Sequence, residues 1–388
     1  MDIILPCACG VDVHEKMIEA CILKLENSKI SVLRQQFSTF PEHLKSFTDW
    51  LYENDCYHIA MESTGVYWKP VYETIEANSV YYENIVVANA HHIKNVPGRK
   101  SDVKDAEWIG KLMIHGLISG SYVPNSTIRS LREIARTYKK MIGEKNRYKN
   151  RIEKFLQAHG FKLSSVLSDI FCVTGLNILN QLALRGSLTY EDISSCIRGN
   201  LKSSAQEIYS AVNNKLTASD CKVLQLLLNK LKQAEKDIEY TVELMSEISQ
   251  DYSRQLEVLD SIPGIDKVSA LLILAEIGNA PFESFETPEK LCSWAGLAPR
   301  NDESAGKVNC AKILPGNQYL KPILVQVAWV AVKCRNTPFH QWFWSHQRKM
   351  GQKKAIIAVA RKILKLIFKL LKDDVLYDND VALSNLKY

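Results

Sequence analysis

The spacing of hydrophobic and polar positions changes character twice along the chain. From Cys7 to Phe37 three short runs, CACGVDV, MIEACILKL and KISVLRQQF, are apolar and β-rich, and they predict three consecutive strands. A helix is expected over about Pro41–Glu53, then a strand YHIAME, a helix from Tyr67 to about Ala77, a strand NIVVANA, and a helix opening near Ser101. Turn-rich SYVPNST then interrupts the pattern. Beyond it Leu131, Ile134, Tyr138, Met141, Lys145, Tyr148, Ile152 and Phe155 recur at helical spacing, and so do Leu224, Leu227, Leu231, Ala234, Ile238, Thr241, Met245, Ile248 and Tyr252. These ladders predict two long helices pairing as a coiled coil, within or between subunits. Between them, about Gly160–Cys221, lies a helical insert whose role the residues do not declare.

The order β-β-β-α-β-α-β-α is that of an α/β layer fold of the ribonuclease-H or RuvC-like type, a mixed sheet covered by helices, over residues 1–120. Residues 121–255 then form the coiled coil and insert, with nucleic-acid binding and oligomerisation as their expected work. A mainly α C-terminal domain covers 256–388. It opens on DSIPGIDKVSALLILAEIG, where Pro263-Gly264 before an apolar helix resembles a helix-hairpin-helix turn that offers backbone N–H groups to a phosphate. Lys267 stands near the place of that hairpin's usual second glycine. The last helix, about Lys353–Lys372, is apolar on one face and lysine-rich on the other.

Charge sharpens this picture more than composition does. The net charge is only +6, yet Arg129–Lys154 alone holds ten Lys/Arg against three Glu. Focused basicity with interleaved Tyr138 and Tyr148 suits contact with a nucleic-acid backbone. Arg129, Arg132, Arg136, Lys139, Lys140, Arg147, Lys149 and Arg151 are the expected phosphate contacts there, with Arg300 and Lys307 further on. The ten cysteines show no zinc spacing and read as reduced, mostly buried thiols of a cytoplasmic, DNA-associated protein. No apolar stretch is long enough to span a bilayer, so no membrane partner is expected.

Four carboxylates carry the chemistry. Asp12 lies in the first strand between Val11 and Val13, where a lone charge is costly. Glu62 ends the fourth strand, and Asp102 and Asp105 share one face of the helix that follows NIVVANA. Acids converging from two strands and a helix make an oxygen-rich cage suited to Mg²⁺, with Mn²⁺ able to substitute. Such cages hold the ions that cut or join phosphodiesters. His14 and His91-His92 are read as neighbours of the site and not as ligands. A second cluster is GLAPRNDESAGKVNCAKILPGNQYL, where Ser304 sits among small and glycine residues with Arg300 and Lys307 nearby to offset phosphate charge. Composition alone reads this segment as a polar hairpin.

The segments GVDVHEK, MESTG, VPGRKSDVKDAEWIGKLM, IPGIDKVSALLILAEIG and WAGLAPRNDESAGK with GNQYL resemble, in that order, the insertion-sequence transposases of the "one-ten" family. These are bridge-RNA-guided recombinases related to the Piv-type DNA invertases. The resemblance implies a D-E-D-D metal site at Asp12, Glu62, Asp102 and Asp105, and a nucleophilic serine at Ser304. It also implies recombination through a serine–DNA linkage, composite active sites shared between subunits of a dimer or tetramer, and a non-coding RNA that pairs with target and donor DNA. The pattern departs from the family at Lys321, where arginine often follows the leucine, and at Leu314-Pro315 before Gly316. Two other classes are open to a chain with these acids: a Holliday-junction-type nuclease that needs no serine, and a non-catalytic DNA-binding regulator. The length and the Ser304 cluster argue against the first, and the intact acids against the second.

Overall fold

The computed structural model describes residues 3–27, 29–63, 65–78, 84–90, 93, 105–299, 302–304, 307–310 and 313–379, the segments 302–304 and 307–310 by their backbone alone. The chain divides into two compact units, Met1–Val123 and Pro124–Tyr388. The middle and C-terminal segments, expected as separate domains, both lie within the second.

In the first unit the strands are β1 (Cys7–Val13), β2 (Met17–Glu26), β3 (Lys29–Ser38), β4 (His58–Glu62) and β5 (Asn84–Ala88), and the helices are α1 (Pro41–Glu53), α2 (Trp68–Ala77) and α3 (Asp105–Ile114). They form one five-stranded sheet in the order β3-β2-β1-β4-β5. β1 is antiparallel to β2 and parallel to β4, which is in turn parallel to β5. Phe47, Leu51, Val71 and Ile75 of α1 and α2 pack with Val11, Ile22 and Met61 on one face. Ile109, Leu112 and Met113 of α3 pack with Ala8, Leu23 and Ala60 on the other. Cover on both faces is why β1 reads as a continuous apolar run and not as an alternation.

One close approach sets where α3 lies. A Cβ on Gly10 would stand 2.0 Å from the Ala106 carbonyl oxygen and 2.2 Å from the Gly110 nitrogen. Only glycine lets the helix backbone press onto β1 at that depth.

The second unit is built on α4 (Ser126–Ala158) and α8 (Ala218–Ile248). They run antiparallel within one chain: Lys145 Nζ meets Glu235 Oε1 at 3.0 Å, and His159 Nε2 meets Asp220 Oδ1 at 3.3 Å. The ladder residues Leu131 and Ile152 of α4 and Leu224, Leu231, Ala234 and Met245 of α8 are buried, whereas Tyr138, Met141 and Tyr148 remain partly exposed. The insert supplies α5 (Val173–Arg185), α6 (Tyr190–Cys196) and α7 (Ala205–Val212). Its Phe161, Ile178, Leu182 and Ile208 close a core over Ile152, Leu156, Leu224 and Leu228, so it caps the far end of the helical pair. Reciprocal capping boxes at Thr189/Asp192 and Ser204/Glu207 start its two short helices.

The rest comprises α9 (Ser253–Asp260), α10 (Lys267–Ile277), α11 (Pro281–Ser284), α12 (Pro288–Trp294), the strands β6 (Asp302–Ser304) and β7 (Lys307–Cys310), α13 (Leu320–Ala331), α14 (Pro338–Met350) and α15 (Gln352–Asp373). Every residue from Ala270 to Ile277 is buried, and all but Glu276 are apolar, so α10 is enclosed on every side. The apolar face of α15, including Ile356, Val359, Ile363 and Ile367, is internal core. No described helix is long and apolar enough to cross a membrane.

Candidate active site

Asp12 follows Gly10 on the same face of β1, because side chains alternate along a strand. The strand register sets Val11 beside Met61, so Glu62, the last residue of β4, lies level with Asp12 on the α3 side of the sheet. Asp105 opens α3, one residue before the Ala106 that touches Gly10. Three elements thus bring three of the expected acids to one end of one face. The electrostatics agree. Burial raises the Asp12 carboxyl above its ordinary range, the His14 imidazole pulls it down, and the carboxylates of Asp105, Glu62 and Glu19 push it up again. Asp102 and the pair His91-His92 lie outside the described residues.

His14 is a site neighbour with a defined contact, its Nε2 lying 3.2 Å from Asp12 Oδ2. Its side chain is 59% exposed against 20% for Asp12, so it covers the solvent side of the carboxylate. The spacing Asp12-x-His14 on a strand end was the signal for this pairing. Glu19, the antiparallel partner of Asp12, is a further acid whose place sequence spacing did not suggest.

The donor set is the kind that a hard divalent cation takes, and the repulsion felt by Asp12 is what such a cation would relieve. Among the described residues no three His, Cys, Asp or Glu groups come close enough to grip an ion as they stand. The residues fit the ion in chemistry, and gripping it requires them to close in or to gain Asp102.

Ser304 lies at the end of a β-stem, the hairpin that the composition of the segment suggested. The stem is closed step by step: Ser304 pairs with Lys307, Asp302 with Cys310, and Pro299 bridges Ile313. At its base Gly296 and Gly316 touch, and a Cβ on Gly316 would lie 2.3 Å from the Gly296 Cα. Both glycines have positive φ, 72° and 59°, and no other residue fits there. Arg300, Ala305 and Gly306 lie outside the described residues. The two departures from the family pattern meet each other, Lys321 Nζ donating to the Leu314 carbonyl at 3.2 Å.

Asn317 in GNQYL anchors that stem. Its Oδ1 accepts from the backbone N–H groups of Tyr319 and Leu320 at 2.8 and 2.9 Å and starts α13. Its Nδ2 donates to Glu276 Oε2 at 2.8 Å. Glu276, 2% exposed, also receives Arg136, and Arg136 stacks over the Tyr319 ring at 4.4 Å.

This network revises the basic helix. Arg132 donates to the Ala275 and Glu276 carbonyls at 3.0 and 2.8 Å, where a cation suits the C-terminal end of α10. Arg136 is held by Glu276, Arg129 donates to the Pro124 carbonyl, and Lys139 reaches the Tyr319 carbonyl. Burial also holds the Lys139 ammonium below its ordinary value. The inner half of the expected phosphate-contact set is therefore structural. Lys140, Arg147 and Arg151 are exposed, and Lys149 lies over the Phe171 ring at 4.7 Å. The helix-hairpin-helix turn is likewise occupied by the fold. Gly264, at φ 93°, lies where a Cβ would meet the Val327 carbonyl at 2.7 Å, and the Asp266 carboxylate already caps α10 through the Ser269 N–H.

Two family models match the chain. One, described as "Transposase", covers residues 9–160 and is a domain of the DEDD type; the other, described as "Transposase IS116/IS110/IS902 family", covers residues 256–343. Together they take in well over half of the sequence. This chain belongs to the IS110 family of transposases, which is related to the Piv invertases. Among curated proteins, the pilin gene-inverting protein of Moraxella bovis is 28% identical over 135 residues, 34% of this chain and 41% of that protein. Its counterpart from Moraxella lacunata is 30% identical over 128 residues, 32% of this chain and 39% of that protein. The chain thus spans about two fifths of the length of the curated relatives it matches.

Proposed function

We propose that this protein is a DNA transposase and site-specific recombinase, breaking and rejoining DNA strands with the carboxylate face of its first unit and with Ser304. One observation carries the reading: Asp12, Glu62 and Asp105, on three different elements, share one face and act electrically on one carboxyl. Asp102 completes the set in sequence. The family supports the same reading, and so does the gene-inverting activity for which the relatives are named.

In this account Asp12, Glu62, Asp105 and Asp102 would hold a divalent cation, Mg²⁺ by the hardness of the donors. When bound, it supplies a positive charge that offsets the negative charge developing on the phosphate. Asp12 is held in place by the strand and by His14. Ser304 Oγ forms a new ester to phosphorus as the bond to the leaving deoxyribose oxygen breaks, with the serine proton balanced by the proton that oxygen gains. The phosphodiester is exchanged and not hydrolysed, so the break can be resealed without another energy source. A non-coding guide RNA sets the sites, the protein works as a dimer or tetramer, and Lys140, Arg147, Lys149 and Arg151 contact phosphates in a DNA-associated, cytoplasmic setting.

The test is to measure strand cleavage by wild type and by Asp12→Asn and Glu62→Gln across a Mg²⁺ and Mn²⁺ titration. Loss of cleavage in both variants with unchanged melting temperature supports the acid face. Undiminished cleavage in either variant, or cleavage in the presence of excess chelator, overturns it.

A further inference from the structure

From Ser304 to Lys372 the chain carries fourteen Lys/Arg and no Asp or Glu. This run is more one-sided than the basic long helix, and the modest net charge of +6 conceals it. Part of it is internal: Lys365 pairs with Glu289 at 2.5 Å, and Lys321 is tied to a carbonyl. At the end of α14 and the start of α15, however, Arg348, Lys349, Lys353 and Lys354 are all exposed. Among the described residues no acidic side chain pairs with them.

The end of α14 also presents an aromatic ring. Trp344 is 54% exposed, an unusual state for the largest apolar side chain, and Arg348 lies one turn beyond it on the helix. On the opposite flank of α14 the Trp342 and His346 rings stack at 4.2 Å with an angle of 11° between their planes, and Lys362 of α15 lies over the Trp342 ring at 5.1 Å. Trp342 is thus held in a ready-made stack, while His346 is exposed. Phe343, between the two tryptophans in sequence, is buried against Trp329, which fixes the helix and so fixes which rings point outward.

We propose that this α14–α15 face binds single-stranded nucleic acid, an unstacked base lying on Trp344 while Arg348, Lys349, Lys353 and Lys354 hold the phosphates. Cations without acids match a polyanion, but they do not require exposed rings. Rings add something only for a ligand whose base faces are open, which a continuous duplex does not offer. A protein partner of matching charge would need an acidic, apolar surface, and a second copy of this face would oppose cation to cation. The inference rests on the nucleic-acid reading above and deepens it by adding a second, strand-selective contact far along the sequence from Arg147.

The experiment uses the full-length protein with fluorescein-labelled oligothymidylate, oligouridylate and a duplex of equal length, measured by anisotropy across a salt series. Trp344→Ala should weaken single-strand binding by roughly tenfold, the usual worth of a stacked base, with the duplex affinity and the salt slope unchanged. Trp344→Phe, which keeps a ring, should recover most of the loss. Lys353→Glu with Lys354→Glu should instead lower the slope by roughly 0.7 per lost contact. Loss confined to oligouridylate assigns the face to RNA, loss confined to oligothymidylate assigns it to DNA, and loss of both assigns it to either strand. Unchanged single-strand affinity in Trp344→Ala, equal loss on the duplex, or a changed sedimentation mass overturns the proposal. If wild type binds none of the probes, the nucleic-acid reading itself fails. If Arg147→Ala weakens binding and Trp344→Ala does not, only this inference fails.

Discussion

Arg136 holds Glu276 through two parallel bonds, Nε to Oε1 at 2.9 Å and Nη2 to Oε2 at 3.0 Å. This fork joins the long helix α4 to the end of α10, and Asn317 extends it to the base of the Ser304 stem. The pair is buried on the glutamate side, so removing one partner strands the other. Arg136→Ala, which leaves the Glu276 carboxylate buried without its fork, should lower stability by about 3 kcal/mol, read from a denaturant or thermal melt. A melt within error of wild type would show that the fork contributes little.

The split of the basic helix into structural and exposed halves makes a paired prediction. Arg147→Ala and Arg151→Ala should leave the melting temperature unchanged and each lower the salt slope of nucleic-acid binding by about 0.7 to 0.9. Arg132→Ala should do the reverse, reducing stability through its lost bonds to α10 with the slope intact. A slope that falls in Arg132→Ala would return that residue to the phosphate contacts.

Gly10 and the helix pressed on it set the geometry of the acids. Gly10→Ala drives a Cβ into the Ala106 carbonyl, so α3 must lift and carry Asp105 away from Asp12. Overpacking of this kind costs about 1–3 kcal/mol. The variant should lose strand cleavage more completely than stability, although no carboxylate is altered. Full activity in Gly10→Ala would mean that the depth of α3 does not matter.

The Asp266 cap predicts a pH dependence. Its carboxyl is held below the ordinary range chiefly by its bond from Ser269, so its contribution to stability is present above the unfolded-state pKa. That contribution is lost as the pH falls through the lower, folded-state value. Asp266→Ala should cost about 1 kcal/mol at neutral pH, and the gap to wild type should narrow in acid. A gap that stays constant down to the acid transition would exclude the cap as its source.

Much of the first unit was legible because its strands are short, β-rich and separated by clear helical stretches. The run CACGVDV and the expected helix Pro41–Glu53 match the observed bounds, and the acids Asp12 and Glu62 fall on strand ends as expected. The helix ladders were legible too, but periodicity cannot say whether the partner helix belongs to the same chain; the Lys145–Glu235 and His159–Asp220 contacts do. The roles of Arg132 and Arg136 were hidden because a basic helix has the same composition whether its arginines face phosphates or the buried Glu276, more than a hundred residues away. The hairpin that carries Ser304 was legible in composition, but the closure of its base was hidden for a related reason, since Gly296 and Gly316 flank it and meet only in three dimensions.

The central claim is tested most directly by trapping the protein–DNA ester. Wild type, Asp12→Asn and Ser304→Ala are incubated with end-labelled DNA, guide RNA and Mg²⁺, then resolved on a denaturing gel. Wild type should yield a labelled band at the mass of protein plus one DNA strand. Both variants should bind the DNA normally and yield no such band. An adduct formed by Ser304→Ala would contradict the account.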